Sequence, residues 1–108
     1  MINELYREDL YSRSNNDIVV DLGRRFRDYR IALRLTQKEV AFQSGVSVMT
    51  IVRFEKGDGI RLDNLVALMR AIEKLEDIAE FIPEMPSSLY DLPVRKVTQR
   101  VKKRRNER

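Results

Sequence analysis

The chain has 108 residues, of which 43% are apolar and 35% charged, and this balance is typical of a small globular protein with one hydrophobic core. It contains no cysteine and no histidine, so it lacks a disulfide framework, thiolate metal ligands, the usual general base and the commonest metal ligand. The N-terminus lacks the apolar run of a signal peptide and no stretch approaches the roughly 18 apolar residues of a membrane span. We therefore expect a cytoplasmic protein with no membrane contact, no cofactor and no metal.

The net charge of +4 is unevenly distributed. Residues 94–108 contain eight Lys and Arg against one acid, a net charge of +7, which leaves −3 for the preceding 93 residues. A basic tail of this kind favours an acidic partner, nucleic acid first among them.

The first 13 residues form an N-terminal extension. Apolar residues recur there at helical spacing, namely Leu5, Tyr6, Leu10 and Tyr11. A short helix and disorder both remain open for this segment.

A longer amphipathic helix follows the possible N-caps at residues 14–17. Its apolar stripe comprises Ile18, Leu22, Phe26, Tyr29 and Leu33. Gly23 should weaken this helix by about 1 kcal/mol relative to alanine, unless a neighbouring backbone packs against it. The polar face is basic, and we expect Arg24 and Arg27 on it to be solvated.

The next stretch predicts two short helices joined by a tight turn. Thr36 and Glu39 have the spacing of a capping box, which starts a helix. Gly45 can take the left-handed conformation that ends this helix, and Ser47 is a good N-cap for the next one. The helices should span about 37–43 and 48–55. Apolar side chains that could meet between them are Val40, Ala41, Val46, Ile51 and Phe54.

Two steeply crossing helices of this kind form a helix-turn-helix, whose second helix enters the major groove of DNA. The chain here resembles the Cro/phage-repressor, or XRE-type, helix-turn-helix family. The residues that carry the resemblance are Arg34-Leu35-Thr36-Gln37-Lys38-Glu39-Val40-Ala41, Ser44-Gly45-Val46-Ser47, Thr50-Ile51 and Arg53-Phe54-Glu55-Lys56-Gly57. The resemblance implies an all-α fold with five helices, within a DNA-binding domain over residues 14–82.

Two further helices should complete this domain. Asp63 begins an amphipathic stretch with Leu65, Leu68, Met69 and Ile72 on one face, onto which Leu62 should fold back. A fifth helix is predicted over residues 74–82. Three prolines then mark a spacer over residues 83–93. We expect the basic tail over residues 94–108 to be disordered, or ordered only by a partner, because it has too few apolar residues to fold alone.

The resemblance also implies which residues contact DNA. The side chains expected to face the bases are Gln37, Ser47, Val48, Met49, Thr50 and Arg53. Phosphate contacts are expected from Thr36, Lys38, Lys56 and Arg30, which fix register without reading sequence. Arg30 should also form a structural ion pair with Glu55. Phage repressors often carry polar amides where this chain has Val48 and Met49, so thymine methyl contacts should replace some hydrogen bonds.

One recognition helix reads only a few base pairs, so the expected partner is a near-palindromic operator bound by a homodimer with recognition helices roughly 34 Å apart. Apolar surface around the fifth helix and Phe81-Ile82 is the expected two-fold contact. The sequence has no phosphate-binding loop, HExxH motif or nucleophile with an adjacent base, so an enzyme is not expected. A purely structural helical bundle and a protein-binding adaptor remain alternatives.

The order of domain, proline-containing spacer and basic tail resembles small HipB-type antitoxin regulators that partner HipA-like kinase toxins. The tail residues expected to contact DNA or such a partner are Arg95, Lys96, Arg100, Lys102, Lys103, Arg104 and Arg105. An antitoxin that represses its own operon and a stand-alone phage-like repressor are therefore the two leading hypotheses.

Overall fold

The computed structural model describes residues 4–86. Over this range the chain is helical, without strands, and the all-α prediction is confirmed. The described helices are α1 (Glu4–Ser12), α2 (Asn15–Ala32), α3 (Gln37–Ser44), α4 (Val48–Glu55), α5 (Leu62–Ala71) and α6 (Leu75–Ala79). The helices α2 to α6 are the five expected for the domain, and α1 precedes them.

The N-terminal extension is helical over Glu4–Ser12, which decides between the two open alternatives for this stretch. No residue of α1 is buried, and Leu5 and Tyr11 are 77% and 71% exposed. The helix is instead supported by contacts within itself: the Arg7 guanidinium lies 4.9 Å from the Tyr11 ring centroid. The apolar spacing of this segment therefore marks a helix that contributes nothing to the domain core.

The long helix α2 begins where the sequence predicts. Ser14 is its N-cap, and the Ser14 hydroxyl accepts a hydrogen bond from the Asp17 amide at 3.0 Å. Its predicted apolar stripe is wider than the buried face: Phe26 is 4% exposed, whereas Leu22 and Tyr29 are 42% and 47% exposed. Among the helices, α2 makes its main contact with α4, so only a narrow face is covered.

The helix-turn-helix forms through the predicted local chemistry. Both bonds of the capping box are present, from the Thr36 amide to Glu39 Oε1 at 2.8 Å and from the Glu39 amide to Thr36 Oγ1 at 3.0 Å. Gly45 has a φ of 78° and its amide donates to the Ala41 carbonyl, which ends α3. The Ser47 hydroxyl accepts from the Thr50 amide and starts α4. The two predicted helices are confirmed, the first of them one residue longer than expected.

The core lies between α2, α3, α4 and α5. Its buried apolar residues are Phe26, Val40, Val46, Ile51, Phe54, Leu68 and Ile72, each at most 5% exposed. The rings of Phe26 and Phe54 lie 5.7 Å apart at 47° and join α2 to α4. Apolar burial of this kind fixes the crossing of the two short helices and therefore the direction of the exposed face of α4.

Two predictions for the C-terminal half of the domain were wrong. Leu62 does not fold back onto the apolar face, because it is the first residue of α5 and is 61% exposed. The last helix covers Leu75–Ala79 rather than residues 74–82, and Phe81 and Ile82 are 62% and 77% exposed. Pro83 accounts for part of this difference, because the residue before a proline disfavours the α conformation.

The remaining predictions concern segments beyond this range. The basic tail over residues 94–108, its contact residues and most of the proline-containing spacer lie outside the described residues. Among the residues described, no helix is both long and apolar enough to cross a membrane.

Candidate nucleic-acid interface

The centre of the interface is a carboxylate shared by three helices. The Glu55 side chain at the end of α4 is only 4% exposed. It accepts from Arg30 Nε at 2.7 Å and from Arg30 Nη2 at 2.9 Å, so the two side chains form a two-pronged ion pair. Glu55 Oε1 also accepts from Gln37 Nε2 at 3.0 Å. The ion pair expected from the resemblance is therefore present, and it includes a residue of α3 that was not predicted to join it.

This arrangement bears on the two predicted roles of Arg30. Arg30 was expected to face a phosphate as well as Glu55, but its side chain is only 11% exposed. Its third nitrogen, Nη1, donates to the Leu35 carbonyl at 2.8 Å. Because each guanidinium nitrogen already donates within the protein, Arg30 ties α2 to α4 and to the turn before α3. The scaffold role of Arg30 is thus observed, whereas its phosphate contact stays a prediction, for which one N–H group on each of Nη1 and Nη2 is left.

The same carboxylate orients the side chain at the start of α3. An ionised carboxylate only accepts hydrogen bonds, so Gln37 must present its NH2 group to Glu55. The amide oxygen of Gln37 then points away from Glu55. A half-buried glutamine held in this way has fewer rotamers to lose on binding than a free surface side chain.

The first turn of α4 is also ordered by hydrogen bonds. The Ser47 hydroxyl accepts from the Thr50 amide at 3.1 Å and donates to Thr50 Oγ1 at 2.8 Å. The Ser47 proton is therefore in use, whereas the Thr50 hydroxyl, which accepts from it, keeps its own proton as a donor. Of these two predicted base contacts, the geometry leaves Thr50 the better equipped to donate.

Three further side chains of α4 predicted to face the bases lie on its surface. Val48 and Met49 are 37% and 57% exposed, although both are apolar. Arg53 is exposed, and its side chain makes no ion pair or hydrogen bond with the part of the chain that the structure describes. The second helix of the helix-turn-helix therefore presents two apolar side chains and an uncommitted guanidinium to solvent.

The predicted phosphate contacts lie at the edges of the same surface. Thr36, Lys38 and Lys56 are all exposed. The capping box satisfies the amide of the N-cap Thr36 and that of Glu39, the third residue of α3. Between them lie the amides of Gln37 and Lys38, which belong to the orphan donors of a helix start. Such donors suit an anion.

The basic face of α2 is different. The Asp21 carboxylate pairs with Arg24 at 2.6 Å and with Arg25 at 2.9 Å, and Arg24 also contacts Asp28. The hydrogen bond from Arg24, helped by the positive charge of Arg25, lowers the pKa of Asp21 below its ordinary value. Arg24 and Arg25 are thus neutralised along their own helix, and the exposure of Arg24 and Arg27 confirms the solvated face that the sequence predicts.

One exposed aromatic residue had no counterpart in the predictions. Phe42 on α3 is 91% exposed. It lies four residues after Lys38 and so shares a helix face with that lysine. Phe42 directly follows the apolar Val40 and Ala41, so the sequence does not distinguish it from the buried side of α3.

A comparison with protein families agrees with this geometry. The model of a family described as helix-turn-helix matches residues 26–81, just over half of the chain. A comparison with curated proteins found no significant match. The match covers the last seven residues of α2 and all of α3 to α6, and so includes the network of Arg30, Gln37 and Glu55. The chain therefore belongs to the Cro/phage-repressor, XRE-type helix-turn-helix family of sequence-specific DNA-binding regulators.

Proposed function

We propose that the protein is a transcriptional repressor that places α4 in the major groove of its operator. The observation that best supports this function is the exposed Arg53 guanidinium on α4, which has no partner in the described part of the chain, on a helix that the buried Glu55 fixes to α3. Glu55 of α4 accepts a hydrogen bond from Gln37 of α3. The amide oxygen of Gln37 and the guanidinium of Arg53 therefore lie on neighbouring helices held in a fixed relation.

Arg53 and Gln37 supply the hydrogen bonds of base recognition in this proposal. A guanidinium can donate two parallel hydrogen bonds to guanine O6 and N7, and a glutamine amide can pair with adenine. Met49 and Val48 supply apolar contacts to thymine methyl groups, and Thr50 donates through its hydroxyl. Ser47 contributes chiefly by capping α4, because its proton is used within the helix turn.

Phosphate contacts from Thr36, Lys38 and Lys56 would set the register of the domain on the duplex. The amides at the start of α3 would add donors to one phosphate, as helix N-termini do in many anion sites. Repression is the expected outcome, because so compact a domain has little surface left for a productive contact with RNA polymerase.

We propose further that the protein binds as a homodimer. An apolar groove between α2, α5 and α6 is lined by Leu22, Tyr29, Met69 and Phe81, among other residues. Beside it the chain leaves Ile82 exposed. A second copy would cover this apolar surface and place two recognition helices one turn of DNA apart. Sedimentation velocity with and without operator DNA tests the assembly, and a monomer in both samples would refute it.

Selection from a random duplex library, with the full chain as bait, tests the DNA-binding function. We expect enrichment of a near-palindromic site with half-site centres about one helical turn apart. Binding to the selected duplex should weaken log-linearly with salt, because phosphate contacts release counterions. A library that shows no enrichment after repeated rounds would contradict sequence recognition.

The finer proposal is that the repressor is the antitoxin of a HipA-like kinase toxin and represses its own operon. It rests on the order of domain, proline-containing spacer and basic tail. A repressor that needs only DNA has no evident use for such a spacer, whereas a cationic segment can bind an acidic kinase surface or phosphates. The gene next to this one would be the first test, because a co-transcribed kinase gene separates an antitoxin from a stand-alone repressor.

Deletion of residues 94–108 distinguishes the two uses of the tail. If the tail serves a toxin, the deletion should abolish co-purification with it while operator footprints persist. If the tail serves DNA, the deletion should reduce the salt slope of operator binding by several contacts and cause no other defect. The second result, without any co-purifying partner, would favour the stand-alone repressor.

A further inference from the structure

The turn between α2 and α3 holds an arginine in an unusual backbone conformation. Arg34 has a φ of 60°, in the left-handed region. It follows Leu33, the C-cap of α2, at the position where glycine is strongly preferred. Among the described residues, Glu73 with a φ of 62° is the other non-glycine residue with a positive φ.

A glycine at residue 34 would adopt this conformation without steric strain. Any side chain with a Cβ meets the following carbonyl oxygen instead, so the turn is less stable with arginine there. Packing does not compensate, because Arg34 is exposed. Within the described part of the chain its guanidinium forms no ion pair or hydrogen bond either. The folded domain alone therefore gives no reason for a side chain at this position.

The turn around Arg34 is nevertheless fixed. The Arg34 amide donates to the Ile31 carbonyl at 2.9 Å, and the next amide, that of Leu35, donates to the Arg30 carbonyl at 3.1 Å. The Leu35 carbonyl accepts from the buried Arg30 guanidinium. Arg34 is thus anchored on both sides, and it lies two residues before Thr36, within about 8 Å of it along the chain.

We propose that Arg34 is a DNA phosphate contact that extends the edge formed by Thr36 and Lys38. The proposal rests on the DNA-binding function proposed above and adds a residue to it. An exposed guanidinium on a hydrogen-bonded turn can donate two hydrogen bonds to a phosphate, and a guanidinium is the group best shaped for that task. The ligand supplies the partner that the folded chain lacks, and this accounts for a side chain retained in a strained conformation.

Glu73 provides a matched control within the same molecule. It too is an exposed residue in the left-handed region, immediately after the C-cap of a helix, in this case α5. It lines a cleft with Gln43 and Ser44, at the C-terminal end of α3 and thus at the opposite end of that helix from Arg34. Glycine at residue 73 should relieve the same backbone strain without removing a phosphate contact.

The experiment compares Arg34→Gly, Arg34→Lys and Glu73→Gly with the wild-type full chain. Thermal unfolding measures stability, and fluorescence anisotropy over a salt series measures affinity for a random-sequence duplex. The melting temperature of both glycine variants should equal that of wild type or exceed it by up to a few degrees. Arg34→Gly alone should lower affinity about three- to tenfold at 0.1 M salt and reduce the salt slope by about 1. Arg34→Lys keeps the charge and should keep the slope.

Each other result overturns part of this reasoning. An unchanged affinity and slope in Arg34→Gly would show that the side chain does not contact phosphate. An equal loss in Glu73→Gly would assign the effect to the backbone, and a lost slope in Arg34→Lys would exclude a charge contact. If the wild-type chain shows no salt-dependent binding, the DNA-binding function itself fails. Binding by wild type without a difference in Arg34→Gly overturns only the role of Arg34.

Discussion

Replacement of Gly23 by alanine tests how closely α2 and the recognition helix α4 must approach. A Cβ at residue 23 would lie 3.0 Å from the carbonyl carbon of Phe54 and even closer to its oxygen. Both obstacles are backbone atoms, so the helices would have to separate by roughly 1 Å to restore ordinary contact distances. That separation would loosen the contact between Phe26 and Phe54, whose rings lie 5.7 Å apart.

Two effects of opposite sign compete in this variant. Alanine is favoured over glycine inside a helix by about 1 kcal/mol. Overpacking a close contact costs about 1–3 kcal/mol, and more where the neighbour cannot move. Because Phe54 is only 2% exposed and its backbone belongs to α4, we expect the steric effect to dominate. Gly23→Ala should therefore lower the free energy of unfolding by up to about 2 kcal/mol and the melting temperature by up to about 10 °C.

Chemical denaturation followed by circular dichroism measures this change. Gly59→Ala is the matched control, since a Cβ at residue 59 has no heavy atom within 4 Å. The control should change the free energy of unfolding by less than about 0.5 kcal/mol. A Gly23→Ala variant that is more stable than wild type would show that helix propensity dominates. It would refute the claim that α2 and α4 approach too closely for a Cβ at residue 23.

Two further predictions concern charged groups. Glu55→Gln removes the charge that compensates the buried Arg30, so the free energy of unfolding measured in urea should fall by about 3–5 kcal/mol. Asp63→Asn, at a pair whose carboxylate is 65% exposed, should change stability by less than about 1 kcal/mol, and an equal loss in both variants would refute the buried network. Arg24 lowers the pKa of Asp21 from its ordinary 3.8. The ionised Asp21 therefore stabilises the fold above its unfolded pKa, and this contribution disappears as the pH falls through the lower folded pKa. A carboxyl titration by NMR should place the Asp21 midpoint below 3.8, and a midpoint above 3.8 would contradict the pairing.

The helix-turn-helix could be predicted from sequence because its boundaries are set by neighbours in the chain. Thr36 caps an amide three residues away, and Ser47 does the same for α4. Gly45 ends α3 through its own backbone conformation. None of these contacts depends on how the helices pack, so residue types and spacing are sufficient.

Properties that depend on packing between helices could not be predicted as well from the sequence. The spacing of Leu22 and Tyr29 is helical, but burial requires a neighbouring element, and both remain more than 40% exposed. The hydrogen bond from Gln37 to Glu55 joins residues 18 apart in the sequence, so it forms only because α3 and α4 cross. The left-handed φ of Arg34 likewise has no residue-type signal, because arginine seldom takes it.

The DNA roles of individual residues rest on the resemblance and on which donors the fold leaves uncommitted. Here the structure refines the prediction, since it commits Arg30 to Glu55 and the Ser47 proton to Thr50. It leaves the Arg53 guanidinium on α4 exposed and without a partner in the described part of the chain. The readout of sequence should therefore depend more on Arg53 than on its polar neighbours.

The most direct test of DNA reading by α4 is operator footprinting with Arg53→Ala on the selected site. Arg53 is exposed and its side chain has no partner in the described part of the chain, so the variant should keep the wild-type melting temperature. Its free energy of operator binding should become less favourable by about 1–3 kcal/mol, and its base preference should weaken at one base pair of each half-site. Arg27→Ala removes an exposed arginine from α2 and should leave base preference unchanged. Protection by Arg53→Ala at the wild-type concentration, with unchanged base preference, would contradict the assignment of α4 as the recognition helix.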